Sequence, residues 1–270
     1  MLYQEEYIKT NKWDFKPHLY VKLCLKLKRW SDNVVREYKE YYVAVIDLLG
    51  FKNTINNETC ETICGFYDEI YTEYVVTDER IKKPVVEEKT VKMKVASDTI
   101  FLYVEADVHN ALAGLIAYCD YLQVRLLRQK IPVLSRGAIT KGKVYIDGDV
   151  CFGPAIVEAY KMEEELAKSP RIIMSKEIID QWEKYDQSGK GYIDMFTFQD
   201  VDGYIILDYL YLFYGLNHNS NPSVWNKFAV YAKEKASSEK NVSVKMKYQY
   251  IYNQFTRVTK KYLQNFGYEL

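Results

Sequence analysis

The sequence predicts an α+β fold built on a βαββαβ unit, and three observations lead to that prediction. Short apolar runs such as residues 42–49 are typical of buried strands, whereas residues 57–74 repeat apolar side chains at helical spacing. Residues 97 and 98 separate two further strand-like runs in the manner of a hairpin turn. The resulting order of strand, helix, strand, strand, helix and strand is the ferredoxin-like arrangement.

The remaining elements follow from the same periodicities and from turn residues. Pro132 ends one helix, Pro154 stands at the favoured first position of another, and Ser175 is a typical N-cap. Gly142 is predicted to form the turn of a second hairpin. In chain order we predict strands at 42–49, 90–96, 99–104, 133–140, 143–146, 172–174 and 204–212, helices at 57–74, 108–128, 154–167, 176–185, 225–235 and 242–266, and loops at 77–88 and 148–153.

Composition excludes several classes of function. The chain has 270 residues with 37 basic and 37 acidic side chains, so no net field favours nucleic acid or an anionic membrane. Its five cysteines form no Cys-x-x-Cys pair, which argues against a zinc site or a disulfide framework. No apolar run is long enough to span a bilayer, and the first residues lack a signal-peptide pattern. We therefore expect a cytoplasmic protein that binds neither nucleic acid nor membranes.

Two aspartates carry the strongest chemical signal. Asp47 and Asp98 each interrupt an apolar run, and a carboxylate in such a place needs a partner. In a βαββαβ unit the end of the first strand lies beside the hairpin of the next two strands, so these residues should come together. Gly50 follows the first aspartate and lets the backbone approach a ligand. This pattern predicts a site for divalent metal ions and phosphate.

The spacing around both aspartates resembles the metal motifs of class III nucleotidyl cyclases. The Asp47-x-x-Gly50-Phe51 segment is similar to their first motif, in which Gly-Phe opens the phosphate-binding turn. The Lys94-x-x-x-Asp98 segment is similar to their second motif, in which a base-reading residue precedes the second aspartate by four positions.

Two further segments extend this resemblance over residues 41–180. Residues 136–142 match the spacing of the family's Arg-to-Gly strand. Residues 152–163 and 170–175 resemble the helix on its dimer face and the strand after that helix. The resemblance implies a catalytic domain at 41–215, between an N-terminal helical extension at 1–40 and C-terminal helices at 216–270 packed on the same domain.

The resemblance also implies roles for individual residues. Asp47, Asp98 and the carbonyl of Leu48 would hold two Mg²⁺ or Mn²⁺ ions, which activate the ribose 3′-hydroxyl and clamp the phosphates. Backbone N–H groups of residues 50–52 would bind phosphate oxygens, and Arg136 would neutralise the terminal phosphates. Cyclisation then depends on positioning and charge stabilisation.

Three positions depart from the family pattern. Val157 and Lys161 stand where the family carries an Asn and an Arg that stabilise the transition state, so Lys161 is the candidate substitute. Val150 stands where adenine and guanine enzymes have Asp or Cys. The residue at position 150 therefore gives no support for purine recognition.

A divergent branch of the family, the bacterial pyrimidine cyclases of Pycsar anti-phage defence, resembles the chain better. The similarity covers residues 136–140, 159–163 and 247–253. It implies a homodimer with sites at the subunit interface that makes cyclic UMP or cyclic CMP from UTP or CTP.

Other interpretations remain open at this stage. The chain is also compatible with a degenerate, binding-only cyclase domain or with a purine cyclase, and a palm polymerase or diguanylate cyclase shares the two-aspartate topology but not this turn. Lys94 can lie on a solvated strand face, Arg136 can form an internal ion pair, and Lys161 can be an ordinary exposed helix residue. Residues 186–194 imitate an EF-hand loop, but Lys190 occupies an acidic ligand position, so we do not expect calcium binding.

Overall fold

The computed structural model describes residues 36–81, 91–130, 132–182, 187–218 and 222–265, and those from Tyr38 onward form one compact unit. Among the described residues, no helix is both long and apolar enough to cross a bilayer. The elements in these ranges are β1 (Lys39–Leu48), α1 (Phe51–Asn57), α2 (Cys60–Ile81), β2 (Lys92–Ala96), β3 (Thr99–Glu105), α3 (Ala111–Leu127), β4 (Ser135–Asp147), β5 (Val150–Phe152), α4 (Pro154–Glu165), β6 (Ile172–Met174), α5 (Lys176–Trp182), α6 (Gln187–Phe196), β7 (Thr197–Gln199), β8 (Ile205–Leu207), α7 (Tyr209–His218), α8 (Pro222–Ser238) and α9 (Val242–Asn265).

The strands form one sheet in the order β2-β3-β1-β4-β6-β8-β7, and β5 pairs with β4 alone. The first four strands in this order are antiparallel and, with α2 and α3, make the predicted βαββαβ unit. Strand β6 then adds parallel to β4, and β8 and β7 follow in antiparallel pairs. The predicted α+β fold with a ferredoxin-like core and added C-terminal elements is confirmed.

Strand β1 runs through the middle of the core, which explains its continuous apolar sequence. Tyr42, Ala44 and Ile46 face one side of the sheet and pack with residues of α2 and α3. Val43 and Val45 face the other side and pack beneath α4. A strand covered on both faces carries no alternating polar positions, so Asp47 at its end stands out as a functional candidate.

Helix α3 is buried around most of its circumference. Leu115 and Ile116 pack towards the sheet, while Val124 and Leu127 join a second core with residues of α7, α8 and α9. A helix that is apolar on all sides needs cover on all sides. Helices α7, α8 and α9 therefore share a core with the side of α3 that does not pack on the sheet.

The predicted hairpin at Gly142 is wrong. Strand β4 continues through this residue to Asp147, with Gly142 opposite Tyr41 of β1. The reversal comes at Gly148, which has a φ of 58°, and β5 then folds back on β4. Pairing along the whole length of β1 outweighs the local tendency of one glycine to turn.

Other boundaries also differ from the prediction. Residues 77–81 belong to α2 rather than to a loop, and residues 82–90 lie outside the described residues. The predicted helical extension at 1–40 lies outside the described residues for 1–35, and Lys39 and Glu40 already belong to β1.

The prediction of a strand across 204–212 is correct only for Ile205–Leu207. Helix α7 begins at Tyr209 because Leu210, Phe213 and Tyr214 are spaced to bury one helical face against α8 and α9. The segment that imitates a calcium loop is helical from Gln187 onward.

Candidate active site

The structure places Asp47 and Asp98 side by side. Asp47 lies at the end of β1 in register with Thr99, and the Leu48 N–H donates to the Asp98 carbonyl at 2.8 Å. Asp98 belongs to the tight turn between β2 and β3, in which Ser97 has a φ of 55°. Two carboxylates that are far apart in sequence thus share one edge of the sheet.

Each of the two carboxylates is paired with a cation. The Arg136 Nε lies 3.3 Å from Asp47 Oδ2, directly across the β1–β4 register. The Lys52 Nζ lies 3.6 Å from Asp98 Oδ2. The aspartate side chains are 23% and 12% exposed, so the pair is partly desolvated yet open to a ligand. These ion pairs meet the requirement that a half-buried carboxylate has a partner.

Arg136 contacts a third carboxylate that the sequence analysis did not assign to the site. Its Nε lies 2.7 Å from Glu163 Oε1, on the buried face of α4. Burial raises the pKa of Glu163, whereas the charge of Arg136 acts to lower it and that of Asp47 to raise it. An acidic residue on the buried face of an amphipathic helix is the signal that could have revealed this partner.

The turn after β1 is shaped by Gly50 and anchored by Phe51. Gly50 adopts a φ of 78°, in the left-handed region that favours glycine, and caps the start of α1. Phe51 is 2% exposed, and its ring centroid lies 4.4 Å from that of Phe66 and 5.9 Å from that of Tyr67 in α2. The side chain of Phe51 therefore packs in the core, and only its backbone can contact a ligand.

Tyr67 supports the turn that carries the second aspartate. Its hydroxyl donates a hydrogen bond to the Ser97 carbonyl. The sequence predicts a helix at this position, but no local pattern reveals a contact across 30 positions. The side chain of Leu48 is apolar and buried, and of this residue only the backbone carbonyl oxygen could bind a metal ion.

Lys94 lies on β2, where its Nζ donates to the Gly148 carbonyl at 2.8 Å. This contact ties β2 to the β4–β5 turn that precedes Val150. Positions 94 and 150, which the resemblance assigns to base recognition, are therefore brought near one another by the fold. Burial raises the pKa of the Cys151 thiol, and the nearby charge of Lys94 acts to lower it.

Lys161 is not brought to the aspartate pair within one chain. Helix α4 presents Lys161 and Tyr160 to solvent, and Val157 is 68% exposed. Glu163 lies on the opposite side of the same helix and faces Arg136. The two residues at 157 and 161 thus belong to an outer surface.

The oxygen atoms at and around Asp47 and Asp98 suit a hard divalent cation. Carboxylate and carbonyl oxygens are the ligands that Mg²⁺ and Mn²⁺ prefer. Among the described residues, no group of three or more Asp, Glu, His or Cys side chains is arranged to hold a metal ion by itself. Mg²⁺ commonly uses one or two carboxylates and takes its other ligands from water and substrate phosphates. Asp47, Asp98 and the Leu48 carbonyl fit that mode of binding.

Comparisons with family models and with curated proteins found no match for this chain. Among solved structures, the chain is similar to the guanylyl cyclase domain of the RhoGC fusion protein from the aquatic fungus Blastocladiella emersonii, with 15% identity, 64% of this chain and 96% of that chain covered, and a TM-score of 0.46.

Two other solved structures show similarity at the same level. The adenylyl cyclase CyaB from P. aeruginosa has 13% identity, with 65% of this chain and 97% of that chain covered and a TM-score of 0.43. The guanylate cyclase domain of RhGC from Catenaria anguillulae, in complex with GTP, has 14% identity, with 64% and 96% covered and a TM-score of 0.44.

Proposed function

We propose that this protein is a metal-dependent nucleotidyl cyclase, which converts a nucleoside triphosphate into its 3′,5′-cyclic monophosphate and diphosphate. The observation that carries this proposal is the adjacency of Asp47 and Asp98 at the end of β1, with Arg136 in contact. A pair of hard-oxygen ligands next to a guanidinium is suited to a bound polyphosphate.

The reaction forms a bond between the ribose 3′-oxygen and the α-phosphorus and breaks the bond from that phosphorus to the diphosphate. Divalent ions, when bound, would activate the hydroxyl and neutralise phosphate charge. Asp47 and Asp98 would hold those ions. Arg136 would stabilise charge on the leaving diphosphate while Glu163 keeps the guanidinium oriented. The backbone of residues 50–52 and the side chain of Lys52 would position the phosphates.

We further propose UTP or CTP as the substrate, with a role as a second-messenger source in anti-phage defence. Val150 offers neither the carboxylate nor the thiol with which purine enzymes read their base. Lys94 lies near that position and is a donor suited to a pyrimidine carbonyl. A purine substrate remains the alternative outcome of the product assay.

The proposed enzyme is a homodimer. Phe152, Val157 and Tyr160 expose apolar surface on β5 and α4, with relative exposures of 49%, 68% and 46%. A second copy that covers this surface would shield these side chains and would also engage Lys161. Lys161 of one chain would then complete the site of the other chain.

A binding-only domain is the second candidate. The observation that favours it is Val157, an apolar side chain at the position where catalytic members of the resembling family carry an Asn. Such a domain would bind a nucleoside triphosphate with metal and release it unchanged. Direct measurement of product separates the two candidates.

The test is to incubate the purified protein with Mn²⁺ and each nucleoside triphosphate in turn and to separate the products by chromatography. We expect a cyclic pyrimidine monophosphate, lost by more than about 100-fold in Asp47→Asn and Asp98→Asn because each variant replaces an anionic metal ligand with a neutral amide. Asp180→Asn, which changes an exposed aspartate on α5, is the matched control and should retain activity. Nucleotide binding without product would favour the binding-only domain.

A further inference from the structure

We infer that helix α9 supplies a phosphate-contacting residue, Lys247, to the site from within the same chain. This inference rests on the proposed cyclase function. It assigns the polyphosphate group of the substrate to a groove between the start of β4 and the first turns of α9. Neither residue 247 nor its helix belongs to the βαββαβ core.

The groove is lined by cations from three separate parts of the chain. Arg136 comes from β4, Lys168 from the segment after α4, and Lys247 from α9. Ser243 and Asn253 add uncharged polar groups, and no carboxylate is among the described residues that line the groove. Its volume of about 770 Å³ is of the size that small-molecule sites usually have. Three cations with polar hydrogen-bonding groups are the chemistry that recognises a polyphosphate.

Lys247 and Arg136 are close enough to feel each other's charge. Burial lowers the pKa of Lys247, the charge of Arg136 lowers it further, and Asp47 acts in the opposite direction. Two neighbouring cations repel each other, and an anion bound between them removes that repulsion. The arrangement is therefore less favourable in the empty groove than with a phosphate present.

Arg136 retains hydrogen-bonding capacity towards the groove. Within the described chain, its ion pairs with Asp47 and Glu163 both use Nε. The two terminal nitrogens of the guanidinium are then available to a ligand, and Arg binds phosphate with such paired N–H groups.

Lys247 is held in place by the packing of its own helix. Ile251, Phe255 and Val258 continue from it at helical spacing, and all three are buried against the C-terminal core. Three residues after Lys247, the Tyr250 hydroxyl donates to Asp200 at 2.6 Å. This docking fixes the first turns of α9 beside β4, so the backbone of Lys247 is in place beside the groove before a ligand binds.

The test is a calorimetric titration of the full chain with inorganic tripolyphosphate, which requires no turnover. Lys247→Gln should weaken binding about tenfold, because it removes one charge-assisted contact, and Lys247→Arg should retain most of the affinity. Lys245→Gln is the matched control, since Lys245 is exposed on the same helix and does not line the groove. Lys168→Gln provides a second groove variant in case Lys247→Gln does not fold.

The titration also separates this inference from the proposed activity. Equal tripolyphosphate affinity for Lys247→Gln, Lys168→Gln and Lys245→Gln would overturn the inference, even if the protein makes a cyclic nucleotide. A selective loss of affinity in the groove variants would support it, even if no nucleoside triphosphate is converted. In an active enzyme we expect the KM for the triphosphate to rise about tenfold in Lys247→Gln and to remain unchanged in Lys245→Gln.

Discussion

Asp120 is a fully buried carboxylate that lies outside the proposed site. Neither of its oxygens makes a hydrogen bond of good geometry among the described residues, although the Tyr192 hydroxyl lies close enough to act on the carboxylate. Burial raises its pKa well above the ordinary value, Asp208 raises it further, and Tyr192 opposes the shift. The native state therefore holds a proton on Asp120 over a pH range in which the unfolded chain has lost it.

This shift makes Asp120 a source of pH-dependent stability. Because the native pKa is the higher one, the free energy of unfolding should fall as pH rises from about 4 through the native pKa, by up to about 1.4 kcal/mol per pH unit. Asp120→Asn should reduce that slope, as measured by urea unfolding across this range. Asp107→Asn, at an exposed position, should leave it unchanged. An identical slope in both variants would contradict the assignment.

Glu163 should control the strength of the ion pair between Arg136 and the metal ligand Asp47. In Glu163→Gln the guanidinium loses one charged partner and pairs more strongly with Asp47, which competes with a divalent ion. We expect the Mn²⁺ concentration for half-maximal activity to rise about fivefold, corresponding to about 1 kcal/mol. Glu158→Gln changes an exposed residue of the same helix and is the control. Equal Mn²⁺ requirements in both variants would exclude this role.

At the scale of elements, Gly137 is required where β4 crosses close to β1. A Cβ at this position would lie 2.4 Å from the Val45 carbonyl oxygen, so Gly137→Ala forces two paired strands apart. We expect a loss of about 1–3 kcal/mol in unfolding free energy by denaturant titration. Gly65→Ala on α2 meets no atom within 4 Å and should stabilise the helix by about 0.5–1 kcal/mol. Similar effects at both glycines would refute the close approach.

The elements that the sequence predicts well are those whose local signals agree with the sheet. The hairpin around Ser97 and Asp98 is correct because alternating strand residues flank a two-residue turn. The predictions for Gly142 and residues 209–212 are wrong because pairing with β1 and packing of α7 with α8 and α9 decide their conformation. These contacts join residues that are distant in sequence, and the spacing of apolar residues does not predict them.

In the candidate site, too, some residues can be recognised from the sequence and others only from the structure. Asp47 and Asp98 are recognisable from sequence because a carboxylate in an apolar run is costly and therefore conspicuous. Glu163 and Lys247 are ordinary charged residues on amphipathic helices in sequence. Only the packing of α4 and α9 beside β4 reveals that both lie near Arg136.

At the scale of the whole molecule, the exposed surface of α4 should determine assembly. Val157→Glu places a charge in the proposed dimer interface and should raise the dimer dissociation constant at least about tenfold, as measured by analytical ultracentrifugation. Val201→Glu, at a fully exposed position, is the control and should leave assembly unchanged. A monomeric wild-type protein with full cyclase activity would contradict the proposed two-chain site.

The cyclase proposal is tested most directly by a competition reaction that contains equal amounts of ATP, GTP, CTP and UTP with Mn²⁺. Mass spectrometry of the products identifies any cyclic nucleotide, and a pyrophosphatase-coupled phosphate assay quantifies the released diphosphate. We predict one predominant cyclic pyrimidine monophosphate, formed in equal amount to diphosphate and absent with Asp47→Asn. A predominantly purine product would contradict the substrate assignment, and no cyclic product from the folded dimer would contradict the cyclase activity itself.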